Sequence, residues 1–441
     1  MLVIYIDRQT NRLGYTINLL FKEILQVEYM VTTSREQFIA LSGAKLSYCD
    51  SRLFDEIHIT NSQFLFETNI YSVEVDYTEQ DGIPKLFRNY GDDDSLGFDV
   101  FAAVFYMVSR YEEYLPFIRD KHSRFCASDS IAYKKEFFAK PVVNIWAELL
   151  KQKIKDKYPE INFKPRQFRF INTVDVDMAY SYKNKGFYRT VGGFLRDLKN
   201  GDFKQCVQRF RVLLNIEKDP YDCFDYLLGF ISKYKLATVF FFLFSMRTKY
   251  DKNISPYNND FQLLIKSLGD YSSIGIHPSY YSTEYPQDMT EQIKLLSEII
   301  HKNIRQSRFH YLRFNLPESY RNLIENGIEE DYSMGYSDHI GFRAGICTPY
   351  NFYDLERDCE TGMKVYPFAY MDVALKNGLE LSSDEAWQKI KDLIDEVKRV
   401  NGDFISVWHN ESLSGCGQWQ GWRDVYEKQA EYVYNKQILK N

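Results

Sequence analysis

After residue 165 the chain alternates between two textures. Short apolar runs rich in Val, Ile and Phe lie at 168–175, 236–245, 272–277, 308–314, 363–368 and 403–409, and read as buried strands. Between them, apolar residues recur every three or four positions over 188–198, 203–214, 221–234, 258–268, 288–303, 317–327 and 383–400. That spacing predicts helices with one face turned to a core. Repeated strand–helix units predict a parallel sheet with helices packed outside it. So many units in one stretch favour a closed barrel over an open sheet.

Residues 1–165 are more mixed. Strands are expected at 2–6, 54–60 and 73–77, and helices at 16–25, 99–115 and 141–158. The polar run Lys155-Asp-Lys-Tyr-Pro-Glu160 marks an element end, so the chain is divided into a smaller α/β domain over 1–165 and a second domain over 166–441. No short internal repeat or low-complexity tract is visible.

With 45% hydrophobic and 26% charged residues, the 441-residue chain has the composition of an ordinary soluble protein. A net charge of −6 gives no reason to expect nucleic acid or an anionic membrane as a partner. The run Met1-Leu-Val-Ile-Tyr-Ile-Asp7 reads as a first strand and not as a signal peptide, and Ala237 to Ser245 is too short to span a bilayer. Seven scattered cysteines, none in a CxxC pair, read as reduced thiols, so a cytoplasmic location is expected.

Chemistry collects where the strands end. Asp175 and Asp177 close the first run of the second half. Their i, i+2 spacing sets both carboxylates on one strand face, an arrangement that calls for a cation, a proton or a substrate. The next candidates are His277 at the end of 272–277, Arg313 at the end of 308–313, and His409 at the end of 403–409. In parallel α/β folds the C-terminal strand ends carry the active site. Each residue also has a bland reading: His277 and His409 as satisfied core histidines, Arg313 as half of a surface ion pair, and His310 as a packed residue in mid-strand. Their recurrence at the same kind of position outweighs those readings for all but His310.

In this order the motifs Asp175-x-Asp177, Gly275-Ile-His277, the strand to Arg313, Glu330-Asp-Tyr-Ser333 and Val407-Trp-His409 resemble those of NodB-type polysaccharide deacetylases, carbohydrate esterase family 4. With Phe101 to Leu115, His122-Ser-Arg-Phe125, Pro141 to Trp146 and Gly335 to Gly345, the chain is similar to the Bacteroidetes subgroup that carries an extra N-terminal domain. The resemblance implies a distorted (β/α)7 barrel and hydrolysis of an N- or O-acetyl group on a sugar. It implies Asp175 as general base, Asp177 and His277 as ligands of a divalent metal such as Zn2+, His409 as general acid, and Arg313 as the residue orienting the base. Arg308 is the alternative for that arginine.

One departure bears on the metal. The family has His-x-x-x-His where this chain has His277-Pro-Ser-Tyr-Tyr281, so Tyr281 stands in place of the second histidine. A phenol with a pKa near 10 is a poor ligand at neutral pH. His339, Asp338 and Glu411 are open as a third ligand. The expected function is a sugar deacetylase-like hydrolase acting on an acetylated precursor of surface-glycan biosynthesis. The alternatives are a non-catalytic glycan-binding or assembly protein on the same fold, and a glycosidase using two carboxylates.

Overall fold

The structure is a computed structural model that describes residues 1–91 and 93–438. It is a mixed α/β protein with three sheets. A four-stranded parallel sheet opens the chain: β1 (Leu2–Ile6), β2 (Tyr29–Thr32), β3 (Ala44–Cys49) and β4 (Ile57–Thr60), in the order β2-β1-β3-β4. Helices α1 (Asn11–Ile17) and α2 (Arg35–Ala40) connect its strands, each opened by a hydroxyl cap, Thr10 or Ser34. A hairpin, β5 (Tyr77–Gln80) and β6 (Ile83–Leu86), follows, so the strand expected over 73–77 begins only at Tyr77.

The helix expected over 99–115 is α3 (Val100–Val108), capped by the Asp99 carboxylate on the Ala102 N–H and buried all round. It stops early because Arg110 turns to a left-handed backbone with φ of 55°. Helices α4 (Ile131–Lys134) and α5 (Val142–Lys157) complete this part, and α5 buries Trp146, Leu150 and Ile154 along one stripe. Buried apolar residues from both sides of residue 165 form one continuous cluster.

The large sheet has nine strands: β7 (Arg169–Val176), β8 (Ala237–Leu243), β9 (Ser273–His277), β10 (Gln306–Ser307), β11 (Glu330–Asp331), β12 (Tyr350–Asp354), β13 (Cys359–Val365), β14 (Tyr370–Met371) and β15 (Asp403–His409). Its order is β12-β13-β11-β10-β9-β8-β7-β15-β14, with every pair parallel except β12 with β13. Helices α6 (Phe187–Lys199), α7 (Phe203–Leu213), α8 (Phe224–Tyr234), α9 (Asn259–Gly269), α10 (Pro286–Ile300), α11 (Glu318–Glu325), α12 (Ser383–Arg399) and α13 (Trp422–Ile438) intervene or follow. Strand alternation sorts the side chains: Phe240, Phe242, Phe404 and Trp408 join the main core, while Val239, Phe241, Ile405 and Val407 enter a second, smaller one.

That second core shows that the sheet curls. Arg308, just past β10, reaches Thr173 and Asp175 on β7 at 2.8 Å each. Three strand spacings would hold these residues about 14 Å apart on a flat sheet. The closed barrel expected from the sequence is nevertheless not formed. Hydrogen bonds from the Phe368 N–H to Met334 O and from the Gly341 N–H to Ala369 O link the segment after β11 to the residues leading into β14, yet the strand order stays open among the described residues. The segment that would complete the ladder is engaged elsewhere: Phe342 N–H donates to Phe138 O, Val143 N–H to Gly345 O, and Cys347 N–H to Asn144 Oδ1. Gly341 permits this contact, since a Cβ there would lie 2.3 Å from Phe138 O at a φ of +107°.

A buried ion network fixes the same junction. Glu113 bridges Arg110 at 2.7 Å and Arg343 at 2.7 Å, with the side chains of all three at most 5% exposed. Burial raises the Glu113 pKa, but the two guanidiniums prevail and hold it down at about 2. A carboxyl whose folded pKa lies below its unfolded value adds stability above the unfolded pKa, and this is lost as pH falls through the folded one. Glu113→Gln is therefore expected to destabilise the protein by about 3 kcal/mol at pH 7. In urea denaturation the gap between wild type and variant should narrow steadily from pH 5 toward pH 2; a gap independent of pH would contradict the assignment.

Candidate metal centre and flanking acid–base groups

The parallel register gathers the strand ends. β15 pairs with β7 so that His409 lies opposite Asp175, and β9 pairs with β8 so that His277 lies opposite Leu243. Asp177, the first residue after β7, is the hub. Its Oδ1 lies 3.3 Å from His277 Nε2, and its Oδ2 lies 3.4 Å from His310 Nε2 and 3.9 Å from His409 Nε2.

The imidazoles are held so that their Nε2 atoms face the hub. His277 Nδ1 contacts the Arg308 carbonyl, which can only accept, so Nδ1 carries the proton and Nε2 presents a lone pair. His310 Nδ1 is 2.8 Å from Asp251 Oδ1, a partner of the same kind. Asp251 is itself anchored by the Tyr280 N–H and the Thr248 hydroxyl. Asp177 Oδ1 is buried and receives no hydrogen bond. An imidazole lone pair facing a carboxylate oxygen at 3.3 Å needs a proton or a cation between them.

Asp177, His277 and His310 together offer three ligand atoms within 4.8 Å of one another. Two ligands of one tetrahedral zinc ion are separated by about 3.4 Å, and the two shortest contacts match that value. One carboxylate, two imidazoles and outer carbonyl and carboxylate partners make a fitting donor set for a divalent ion. Without a cation, a proton meets the same need. Burial lowers the His310 pKa, but Asp177 and Asp251 overcome it and push it up to about 9. Burial raises the Asp177 pKa, and His310 and His277 more than reverse it, so Asp177 stays well below the usual carboxylate range.

Two further groups flank the centre. Asp175 is buried, with Oδ1 accepting from Arg308 at 2.8 Å and Oδ2 lying 3.9 Å from His277 Nε2. Arg308 also donates to Thr173 Oγ1 and Tyr332 O, and its guanidinium lies 4.6 Å from the centre of the Phe241 ring. Beside Asp175, His409 Nδ1 bonds Asp372 Oδ1 at 2.8 Å, and Asp372 Oδ2 accepts the His409 backbone N–H and the Ser412 hydroxyl. Burial lowers the His409 pKa, but Asp372 dominates and raises it well above the ordinary imidazole value.

Four of the five residues expected from the sequence thus meet in one place: Asp175, Asp177, His277 and His409. Arg313 does not. It donates to Glu284 at 2.5 Å, to Tyr280 O and Thr283 at 2.8 Å, and to His122 O at 3.2 Å. The strand expected over 308–314 ends at Ser307, and positive φ at Tyr311 and Leu312 turns the chain. That turn leaves Arg308 beside Asp175 and brings His310 to the hub. Tyr281 packs on Tyr250 and Tyr280, and His339 packs on Tyr133 and Phe138. Gly378 packs against the Asp338 backbone. Glu411 lies near His409 and Asp177, and its pKa is raised first of all by burial.

The segment 119–125 closes one side of the turn. Arg124 donates to Tyr311 O and the His122 ring packs on Tyr280 and Tyr311. For the arginines the expected results differ. Arg308→Gln removes a charged bond from a buried carboxylate and should lower turnover about 10–100-fold, while Arg313→Gln should stay within about threefold. Steady-state kinetics of the two variants checks this.

Residues 2–159 match the model of a family described as a family of unknown function, DUF7033. No curated protein sequence matches the chain. Among solved structures, a polysaccharide deacetylase from Bacillus cereus is 13% identical, with 62% of this chain and 89% of that one covered and a TM-score of 0.31. The Puue allantoinase is 11% identical, with 61% and 84% covered and a TM-score of 0.39. A CE4 family pseudoenzyme from Bacillus anthracis is 10% identical, with 62% and 63% covered and a TM-score of 0.32. At these scores the likeness assigns neither fold nor chemistry.

Proposed function

We propose that this protein is a metal-dependent hydrolase that removes an acetyl group from an N- or O-acetylated sugar. The observation that carries the reading is the unsatisfied Asp177 Oδ1 facing His277, with Oδ2 facing His310 and with Asp175–Arg308 and His409–Asp372 on either flank. Asp177, His277 and His310 would hold a divalent ion, Zn2+ by donor type. When bound, such an ion acidifies a water and polarises an acyl carbonyl. Asp175, oriented by Arg308, accepts the proton of the attacking water. His409 donates a proton from Nε2 to the leaving amine or alkoxide, while Asp372 on Nδ1 holds its tautomer and charge.

The choice of an acetylated sugar rests on the ordered motif resemblance to NodB-type deacetylases of carbohydrate esterase family 4. In this reading the substrate is a cytoplasmic glycan precursor, with the sugar carried on a nucleotide or a lipid. The test is acetate release by Zn2+-loaded protein from N- and O-acetylated sugars offered free, nucleotide-linked and lipid-linked. Acetate formed in step with the deacetylated sugar supports the proposal. Tight metal binding with no acetate from any member would favour a sugar-binding role.

A further inference from the structure

The hairpin of α6 and α7 is built inside out. The two helices meet through polar groups: Arg209 of α7 bonds Asp197 of α6 at 2.6 Å, both buried. Gly193 makes room for this, since a Cβ there would lie 2.5 Å from the Arg209 guanidinium. The apolar stripes face solvent. Tyr188, Val191, Leu195 and Leu198 recur at helical spacing on α6, and Phe203, Val207 and Phe210 on α7, each between 39% and 90% exposed. Ten of the 24 exposed large apolar residues among those described lie between 187 and 216. A patch of this extent on a soluble protein marks an interaction surface.

Its charge selects the occupant. Between residues 183 and 218 there are nine Lys and Arg against three Asp and Glu, in a chain whose net charge is −6. Beneath the hairpin, between it and the strand-end rim, lies a cleft of about 660 Å³. Its lining includes Lys185, Arg189, Arg196, Arg209, Arg247 and Lys252 and no carboxylate. Burial lowers the Lys185 pKa to about 8, with Arg189 adding to the effect. Arg196 and Arg209 are paired with Asp197, but Arg189 and Arg247 repel one another, which an anion between them relieves. A second copy docking by a twofold axis would set this positive face against itself. Apolar stripes edged by Lys and Arg instead fit the headgroup region of an anionic bilayer.

We propose that the α6–α7 hairpin docks on anionic membrane surfaces, with its apolar stripes in the headgroup–acyl boundary and its cationic cleft over lipid phosphates. The attachment is peripheral: among the described residues no helix is long and apolar enough to cross a membrane. Met178, next to Asp177, lines the cleft, and Asn410, next to His409, bonds Met178 O and Tyr221 O. Docking therefore brings the metal-type centre to the membrane surface.

The inference does not rest on the hydrolase reading, and its test is independent of turnover. The full chain is sedimented with vesicles of phosphatidylcholine alone and of phosphatidylcholine with phosphatidylglycerol, and its mass is followed by light scattering. Wild type should bind the anionic vesicles at least tenfold more tightly. Leu195→Glu with Phe210→Glu should lose that binding, and Lys199→Gln and Lys204→Gln should weaken it about fivefold each. Circular dichroism and thermal melting report that the variants are folded. No binding to anionic vesicles, or equal binding to both kinds, overturns the proposal. So does a dimer that the Leu195→Glu, Phe210→Glu variant converts to monomer without vesicle binding, an outcome that would assign the face to a second copy of the chain.

Discussion

His310→Ala is expected to abolish stoichiometric metal binding, weakening Zn2+ affinity by more than about 100-fold, while Tyr281→Phe leaves it within about twofold. The argument is geometric. His310 Nε2 faces Asp177 Oδ2 at 3.4 Å, and Asp251 fixes its other nitrogen. Removing the imidazole leaves two protein ligands where a catalytic zinc site normally has three. Tyr281 is turned to Tyr250 and Tyr280. Asp251→Asn should be intermediate, weakening the site about 10–100-fold, because it disturbs only the orientation of His310. Competition against a chromophoric chelator, with elemental analysis after dialysis, gives all three values. Wild-type affinity in His310→Ala would show that the ion, if bound, sits elsewhere.

The same residue shows where the sequence could and could not be read. Asp175, Asp177, His277 and His409 end long strands whose apolar runs are unambiguous, so their convergence follows from the parallel order alone. The run 308–314 has the same apolar texture, with Phe309, Leu312 and Phe314 all buried. It reads as a strand, which places His310 in its middle and Arg313 at its end. The left-handed Tyr311 and Leu312 undo that reading, and nothing local in an aromatic or a leucine announces a positive φ. Arg308 and His310 then exchange significance with Arg313. Asp251 and Asp372 were not legible for another reason. They act through a histidine far away in sequence, and each lies beyond its strand with no motif around it. Asp372 does follow the two-residue strand β14, so a strand ending in an acid was a signal too short to notice.

The barrel is a parallel case at larger scale. Counting strand–helix units gives a mainly parallel sheet, but it favours a closed barrel where the strand order stays open among the described residues. It does not reveal that residues 342–347 are engaged by hydrogen bonds with residues 138–144. That contact is long-range, and no local pattern carries it. It also ties the first part of the chain to the second, as does the Arg110–Glu113–Arg343 network. Within Arg110-Tyr-Glu-Glu-Tyr114, the charges of Arg110 and Glu113 are spent internally and not on the cleft.

The second large effect concerns the proton donor. In metal-loaded protein, His409→Ala and Asp372→Asn are each expected to lower acetate release about 10²–10⁴-fold, with Zn2+ content unchanged. His409 Nε2 is 3.9 Å from Asp177 Oδ2 and, among the described residues, belongs to no three-ligand group with it, so its loss should leave the ion in place. Asp372 touches neither the hub nor the cleft; it accepts from His409 Nδ1, the His409 N–H and the Ser412 hydroxyl. An asparagine there keeps the shape but can donate to Nδ1, which stabilises the wrong tautomer and removes the charge that keeps the imidazole protonated. Asp175→Asn should fall in the same range for the opposite reason, since an amide cannot take the proton of the attacking water. A drop in all three variants with metal retained would separate acid–base chemistry from metal binding. Turnover within about threefold of wild type in His409→Ala would remove it as the general acid, and Glu411, two residues further on and half-buried close by, would be the residue to examine in its place.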